Sequence, residues 1–579
     1  GLDLEMPGPA IYFGDRLEAA VNAGGVEPAR IDGAARRLIR LMLRTGLLDG
    51  AARAGELRSE RHRQVARRAA QEGIVLLKNE GGLLPLDAGA IKSLAVIGPN
   101  ANFVRLQGDG SSRVSTDRWP TPFESLRARL PNAQVVYEQG CDAEPAPPQA
   151  QPRMFSPTET REAPGLTAEY FEHADFSGEP MRTGHERRLF RWVSSRGQRH
   201  IANRFAGLRW SGFFWPEMDG VYEFSVRGDG GCRVIVGHET LIDLGDPGQE
   251  DFDHPTSAVA LRRTAGLGLQ AGQPYRFTLE YEWASARPGA AFETLSLGVR
   301  QPPGETSDAI AAARAADAVV LVVGSASTTE SEGYDRRDIR LPGDQDLLVE
   351  QIATANPRTI VVVNAGAAMA MPWVDRVDAV LQLWLPGEEG PDALSDILLG
   401  AVSPSGRLPV TFPKRIEDSS AYGFYPGADT VTYGEGLAVG YRHFDQAGLA
   451  PLFAFGHGLT YATFDYATLQ APARSAVGQP VAVSMTLTNA GTRAASEVVQ
   501  VYVGPIAPHR PTPPKALRAF AKVGLAAGES RQVAFTLEPH AFARYDDNEH
   551  RWIIDAGDYD LLVGASAVDI RLQQRVTLG

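Results

Sequence analysis

The sequence predicts a multidomain protein of α/β plus β class, in which a layered α/β domain is interrupted by one all-β sandwich and followed by another. Three observations carry this. Continuous Val/Ile/Leu runs flanked by helical patterns occur in two separate blocks; the segment between them, about 161 to 303, alternates apolar and polar residues with period two; and the last hundred residues repeat that alternation. At 579 residues the chain is also too long for a single hydrophobic core.

Residues 26 to 44 read as an amphipathic helix, because Ile31, Ala35, Leu38 and Met42 recur at helical spacing while Arg36, Arg37 and Arg40 turn elsewhere. Thr45-Gly46 supplies its stop signal. A second, basic helical stretch from Arg58 to Glu72 runs into the apolar segment Ile74 to Leu77. The runs Leu94 to Ile97, Ala318 to Val323, Ile360 to Val363 and Ala379 to Leu385 then suit strands of a parallel sheet covered on both faces. Between the first and second of these runs, beyond the Pro-rich stretch Glu144 to Pro152, come Gly220 to Val226 and Tyr275 to Tyr281. These have strand periodicity, broken by Gly and Asp turns, and describe a sandwich inserted into a loop of the α/β domain. Near the C-terminus Val481, Val483, Met485 and Leu487 alternate with polar or small residues, and Val499, Val501 and Val503 continue the pattern. Seven or so short strands there fit an immunoglobulin- or fibronectin-like sandwich.

Composition narrows the function. With 43% hydrophobic and 22% charged residues the chain is ordinary globular material, and its net charge of −13 argues against nucleic acid as a partner and for a neutral substrate. The longest apolar runs fall far short of the ~20 residues of a membrane span. Cys141 and Cys232 offer no metal framework and at most one disulfide; two free, buried thiols are the simpler expectation. No phosphate-binding fingerprint is present, which removes a nucleotide-dependent enzyme from contention.

Five segments in a fixed order resemble family 3 glycoside hydrolases: GLDLEMPGP (1–9), EGIVLLKNEGGLLPL (72–86), SEGYDRRDIRLPGDQ (331–345), QLWLPGEEGPDALSDILLGAVSPSGRLPVTFP (382–413) and FAFGHGLTYATF (453–464). Within the insert, GLTAEYFE (165–172), LRWSGFFWPEMDGVYEFSV (208–226) and GDGGCRVIVGHETLID (228–243) resemble the β-sandwich module named after anthrax protective antigen. The resemblance implies seven parts. They are the C-terminal end of a (β/α)8 barrel at 1–47, a linker helix at 48–72, an α/β sandwich at 73–160 and 304–413 with the insert at 161–303, a connecting segment at 414–477 and a fibronectin type III-like domain at 478–579. Such inserts narrow the mouth of the active site in related enzymes, which favours short glycosides. Where sugar-binding relatives of the module carry paired calcium-ligating aspartates, this chain has only Asp229 between glycines, so calcium-dependent binding is not expected.

What the resemblance implies chemically is a retaining exo-acting β-glucosidase that releases terminal non-reducing β-D-glucosyl residues. The alternatives are a β-xylosidase or related family 3 exo-glycosidase, or a non-catalytic carbohydrate-binding fragment. Retention requires two carboxyl groups about 5 Å apart, one attacking the anomeric carbon and one serving as acid/base. The acid/base matches Glu332 in TTESEGYDRRD; Glu330 is its rival, and a solvated acidic loop is the plain alternative. The nucleophilic Asp belongs to a Ser-Asp-Trp-like motif that the chain lacks. It is therefore expected upstream of Gly1, on a barrel segment belonging to the complete protein; Asp3 reads better as a structural turn carboxylate. In the loop GDGSSRV (108–114), Ser111 matches the residue that binds hydroxyls of the terminal sugar, a surface turn being the alternative. Phe213, Phe214 and Trp215 could stack on a sugar, but aromatics in a sandwich usually fill its core. No cofactor or metal is implied. The expected ligands are β-glucosides, with a homodimer possible and a periplasmic or secreted location favoured over a cytoplasmic one.

Overall fold

In the computed structural model all residues are described except 1, 7–9, 49–54, 104, 109–111, 113–115, 117, 144–146, 148, 194–204, 229–230, 245–260, 283–292, 303–305, 327–328, 333–335, 337, 426–429 and 509–511. Ser111 and Asp229 therefore lie outside the described residues. The chain divides into two compact units, Gly1–His62 with Ala146–Pro302, and Arg63–Pro145 with Pro303–Gly579.

The second unit is built on a six-stranded sheet of β1 (Val75–Asn79), β2 (Ser93–Ile97), β3 (Gln134–Glu138), β4 (Ala318–Gly324), β5 (Thr359–Asn364) and β6 (Ala379–Gln382). Their spatial order is β3-β2-β4-β5-β6-β1. Neighbours from β3 to β6 run parallel. Every residue of β4, β5 and β6 is buried, as their unbroken apolar sequences require. Val320, Val322, Ile360 and Val362 pack with Ala70 of α3 (Glu60–Gly73), Leu126 of α4 (Pro122–Arg129) and Leu394, Ile397 and Leu398 of α7 (Gly390–Leu398). On the other face Leu321, Val323, Val361 and Val363 pack with Ala309 and Ala313 of α5 (Thr306–Ala315) and Leu348, Val349 and Ile352 of α6 (Gln345–Ala355).

Two details depart from the sequence reading. β1 is antiparallel to β6 and closes one edge of an otherwise parallel sheet. The expected strand 379–385 ends at Gln382, since Trp384 adopts a positive φ of 61° that turns the backbone away from the ladder.

The C-terminal sandwich, also in the second unit, packs a sheet of Phe464–Gln470, Val481–Asn489 and Ser530–Leu537 against one of Arg474–Ser475, Ile570–Leu578, Gly557–Gly564, Ala495–Pro505 and Ala516–Leu525. Its first strand starts at Phe464, upstream of the expected 478. Val481, Val483, Met485 and Leu487 all face its core, as their alternation requires. It is tied to the α/β domain by a buried ion pair in which Arg407 Nη2 donates to Glu497 Oε1 at 2.6 Å. Gln500 adds an Nε2 donation to the carbonyl of Gly456 at 3.1 Å, outside the sandwich, and another to Ala565 at 2.6 Å, within it.

In the first unit, α1 (Asp15–Asn22) precedes α2 (Pro28–Arg44), whose start is set by Pro28 in its first turn. The inserted sandwich contains a sheet of Glu239–Leu244, Gly231–Val236, Tyr275–Glu282, Gly207–Phe214, Leu166–Phe171 and Arg182–Glu186, with Phe155–Ser156 added beside Gly207–Phe214. The second sheet holds Leu261–Leu269, Gly220–Gly228, Glu293–Arg300 and Phe190–Val193. Its core takes in Ala150, Met154 and Phe155, upstream of residue 161. Phe214 is fully buried there, which settles it as a core residue. Trp215 is half-buried and donates from Nε1 to Ser156 Oγ at 2.7 Å, while Arg276 lies 5.8 Å from the centre of the Phe213 ring. Cys141 and Cys232 are both free, Cys232 buried and Cys141 only partly so, and burial pushes both thiols up to about 12. Among the described residues no helix is long and apolar enough to cross a membrane.

Candidate active site

In the parallel part of the sheet the chain passes from β2 outward to β3, then returns to β4 on the other side of β2 and continues through β5 to β6. The winding direction therefore reverses between the adjacent strands β2 and β4. Loops leaving the C-terminal ends of two such strands diverge and open a crevice, the usual ligand site of open α/β sheets. Here one loop leads from β2 towards GDGSSRV with Ser111, and the other leads from β4 to Glu332. The starts of two loops more than 200 positions apart in sequence thus lie at neighbouring strand ends.

Both loops begin in positions that demand glycine. Gly98, just past β2, has φ +111°, and a Cβ there would lie 2.2 Å from the Val322 carbonyl oxygen. At Gly324, the last residue of β4, a Cβ would lie 2.1 Å from the Asn364 oxygen. The Gly324 N–H donates to Gln345 Oε1 at 2.8 Å and its carbonyl accepts from Gln345 Nε2 at 3.0 Å, so the buried amide at the start of α6 fixes the end of β4.

Glu330 and Glu332 are then separated by their surroundings. The Glu330 carboxylate accepts from the Ser325 hydroxyl and, at 3.0 Å, from the Gly366 N–H, while its backbone carbonyl accepts from Arg105 Nη2 at 3.1 Å. Glu330 thus joins the loop after β4 to the loop after β5. Glu332, two residues farther on, is exposed. In the same motif Arg336 donates to the Ala368 carbonyl at 3.0 Å, and burial lowers its pKa, with Glu330 and Asp338 acting against that.

A buried amide hub, absent from the sequence reading, joins the strand ends. Asn364, the last residue of β5, accepts on Oδ1 from Asn100 Nδ2 at 3.0 Å and from the Arg105 N–H at 2.8 Å. Its Nδ2 donates to the carbonyls of Arg105 and Trp384 at 3.0 and 2.6 Å. An Asn closing the apolar run Thr359-Ile-Val-Val-Val was the available signal, because a polar side chain at a buried strand end must find partners.

The flanks of the Ser111 loop are tied to the segment after β6. The Gly387 N–H donates to the Leu106 carbonyl at 2.7 Å, Thr116 donates through its hydroxyl to Glu388, and Arg118 Nη1 donates to Glu389 Oε1 at 2.6 Å. Burial raises the Glu389 pKa, and Arg118 pulls it the other way. In the other unit Asp3 receives two bonds of 2.6 Å from Arg37, which fits its reading as a structural carboxylate. Among the described residues no group of three or more His, Cys, Asp or Glu side chains could hold a metal ion.

The profile of the glycosyl hydrolase family 3 C-terminal domain matches residues 74–461, spanning the sheet, its loops and the insert. This chain belongs to glycoside hydrolase family 3. A fibronectin type III-like profile matches residues 497–567 of this family 3 chain. Over 594 residues the chain is 37% identical to a β-glucosidase of Rhizobium radiobacter, covering 100% of this chain and 70% of that protein. It is 33% identical over 608 residues to β-glucosidase B of Emericella nidulans, covering 98% and 70%. Among solved structures, a Kluyveromyces marxianus β-glucosidase in complex with glucose matches with a TM-score of 0.90 at 27% identity, covering 100% of this chain and 71% of that one. DesR, a β-glucosidase from Streptomyces venezuelae in complex with D-glucose, matches with a TM-score of 0.69 at 31% identity, covering 100% and 69%.

Proposed function

We propose that this glycoside hydrolase is a retaining, exo-acting β-glucosidase that removes terminal non-reducing β-D-glucosyl residues from short glycosides, with Glu332 as its acid/base. The observation that supports this most is the reversal of winding between the adjacent strands β2 and β4, because the loop that leaves β4 at this switch point carries Glu332, the residue that the family resemblance selects as acid/base. The names of its relatives support the choice of β-glucoside.

In this reading the Glu332 carboxylic acid protonates the departing glycosidic oxygen while a nucleophilic aspartate attacks the anomeric carbon. The Glu332 carboxylate then takes a proton from water as that water displaces the enzyme ester. Such a group must gain and lose a proton each cycle, and exposure on a loop held at its base by Glu330 and Gln345 suits that duty. Ser111 hydrogen-bonds a hydroxyl of the terminal sugar and discriminates against rings that lack it.

The test is Glu332→Ala in the full-length enzyme with an aryl β-glucoside. Turnover should fall on the order of 10²- to 10⁴-fold, and added azide should restore part of it by attacking the enzyme-bound glucosyl group without needing a base. Wild-type turnover in the variant removes Glu332 from the role, and faster turnover of the matching β-xyloside removes the glucoside preference.

A further inference from the structure

The fibronectin type III-like domain carries an aromatic surface remote in sequence from every loop of the candidate active site. Its short hairpin pairs Ala543–Asp546 with Arg551–Ile554 and sets Tyr545 directly opposite Trp552. Cross-strand partners share one face of a β-ladder, so the two rings lie side by side. Their centroids are 5.5 Å apart and nearly perpendicular, and His540, from the preceding turn, meets the indole in the same manner at 4.4 Å. Trp552 is nonetheless 55% exposed and Tyr545 47% exposed.

The base under this surface is rigid. Arg544, beside Tyr545 on the same strand, donates to Asp555 Oδ2 at 2.6 Å and to Asp546 Oδ2 at 2.8 Å, and Asp546 also accepts the N–H groups of Asn548 and Glu549 in the hairpin turn. Leaving large aromatic area in water is unfavourable, by about 25 cal/mol per Å², so an ordered exposed pair of rings suits a ligand.

Size and charge select that ligand. The open parts of the two rings amount to roughly 200 Å², far below the ~800 Å² that each partner contributes to a stable protein interface. That disfavours a second copy of the chain. Around the rings Arg544 and Arg551 are outnumbered by Asp546, Asp547, Glu549 and Asp555, and both arginines are already engaged by these carboxylates, which disfavours an anionic ligand. A small, uncharged, polyhydroxylated ring with a flat C–H face meets these conditions. In a pyranose whose substituents are all equatorial, both ring faces present axial C–H bonds that stack on an indole.

We propose that Trp552 and Tyr545 form a non-catalytic binding surface for β-linked gluco-configured glycan chains. Hydrolysis at the crevice does not depend on it, and it would stand if the substrate assignment above failed.

Affinity electrophoresis and pull-down of the full-length protein on soluble mixed-linkage β-glucan and insoluble cellulose test it, with α-linked dextran as control. The wild type should be retarded by the β-glucan and not by dextran, and the double variant W552A/Y545A should bind at least tenfold more weakly. W552F, which keeps an aromatic face, should retain part of the binding, and turnover of a small aryl glycoside should be unchanged in both variants. Absence of wild-type binding overturns the proposal. So does equal binding by the double variant, or a change of its oligomeric state in sedimentation, which would assign the rings to a protein contact.

Discussion

Glu330 and Glu332 are the same residue type two positions apart, and they differ in burial: Glu330 is half-buried and Glu332 is exposed. Glu330 accepts from the Ser325 hydroxyl and the Gly366 N–H, and a Cβ at residue 366 would approach its Oε1 to 2.5 Å. Hydrogen bonds to a charged acceptor are worth about 1.5 to 3 kcal/mol each, and replacing a carboxylate by an amide weakens them and turns one acceptor into a donor. Glu330→Gln should therefore lower unfolding free energy by about 1 to 3 kcal/mol in urea titrations. Glu332→Gln should leave the midpoint within experimental scatter while abolishing most turnover. The reverse pattern, a stability loss at 332 and an activity loss confined to 330, would exchange their roles.

Among the elements, the segment Phe453 to Leu459 meets β1 of the α/β sheet through an imidazole. His457 Nε2 donates to the Leu77 carbonyl of β1 at 2.8 Å, and its ring stacks on Phe453 with centroids 5.3 Å apart. Burial lowers its pKa from the ordinary 6.5, the hydrogen bond to Leu77 acting against that, so the ring is neutral in the fold. In the unfolded chain it takes up a proton as pH falls below about 6.5, whereas the folded protein does not until the pH reaches its lower folded value. The unfolded state then binds more protons, and stability falls with pH across that window. Urea midpoints should decline between pH 7.5 and 5.5, and His457→Gln should make that decline shallower while costing some stability at pH 7.5. An identical slope in the variant would place the titrating group elsewhere.

At the scale of the molecule, stability is distributed among separate cores. The C-terminal sandwich is held to the α/β domain by Arg407 and Glu497, whose side chains are only 7% and 8% exposed. Removing one member strands a buried charge, so Arg407→Ala should cost about 3 to 5 kcal/mol, whereas replacing both with methionine should cost far less. Denaturant unfolding of the two singles and the double measures that coupling. The insert instead has its own core around Phe155, Trp210, Phe214, Tyr222, Phe277 and Tyr281. Excising residues 150–300 behind a short linker should leave the remaining chain cooperatively folded by circular dichroism. If the insert restricts substrate size, as the resemblance implies, the deletion should also raise the ratio of catalytic efficiencies for long over short oligosaccharides; an unchanged ratio would reject that role.

Much of this was legible in one dimension because burial leaves a periodic mark. The run Ala318 to Val323 announces a strand covered on both faces, and Val481, Val483, Met485 and Leu487 announce one covered on a single face. The motif around Glu332 carried the chemistry by resemblance alone. Strand order was not legible, since the apolar character of β2 and β4 does not say that they are neighbours, and it is their adjacency that brings the starts of two distant loops together. Nor could the sequence show which donors surround Glu330, that Asn364 joins three strand ends, or the backbone turn at Trp384. Periodicity is a local property set by what each segment buries, whereas hydrogen-bond partners, close approaches of backbone and the order of strands depend on segments hundreds of residues apart, which only the folded chain brings together.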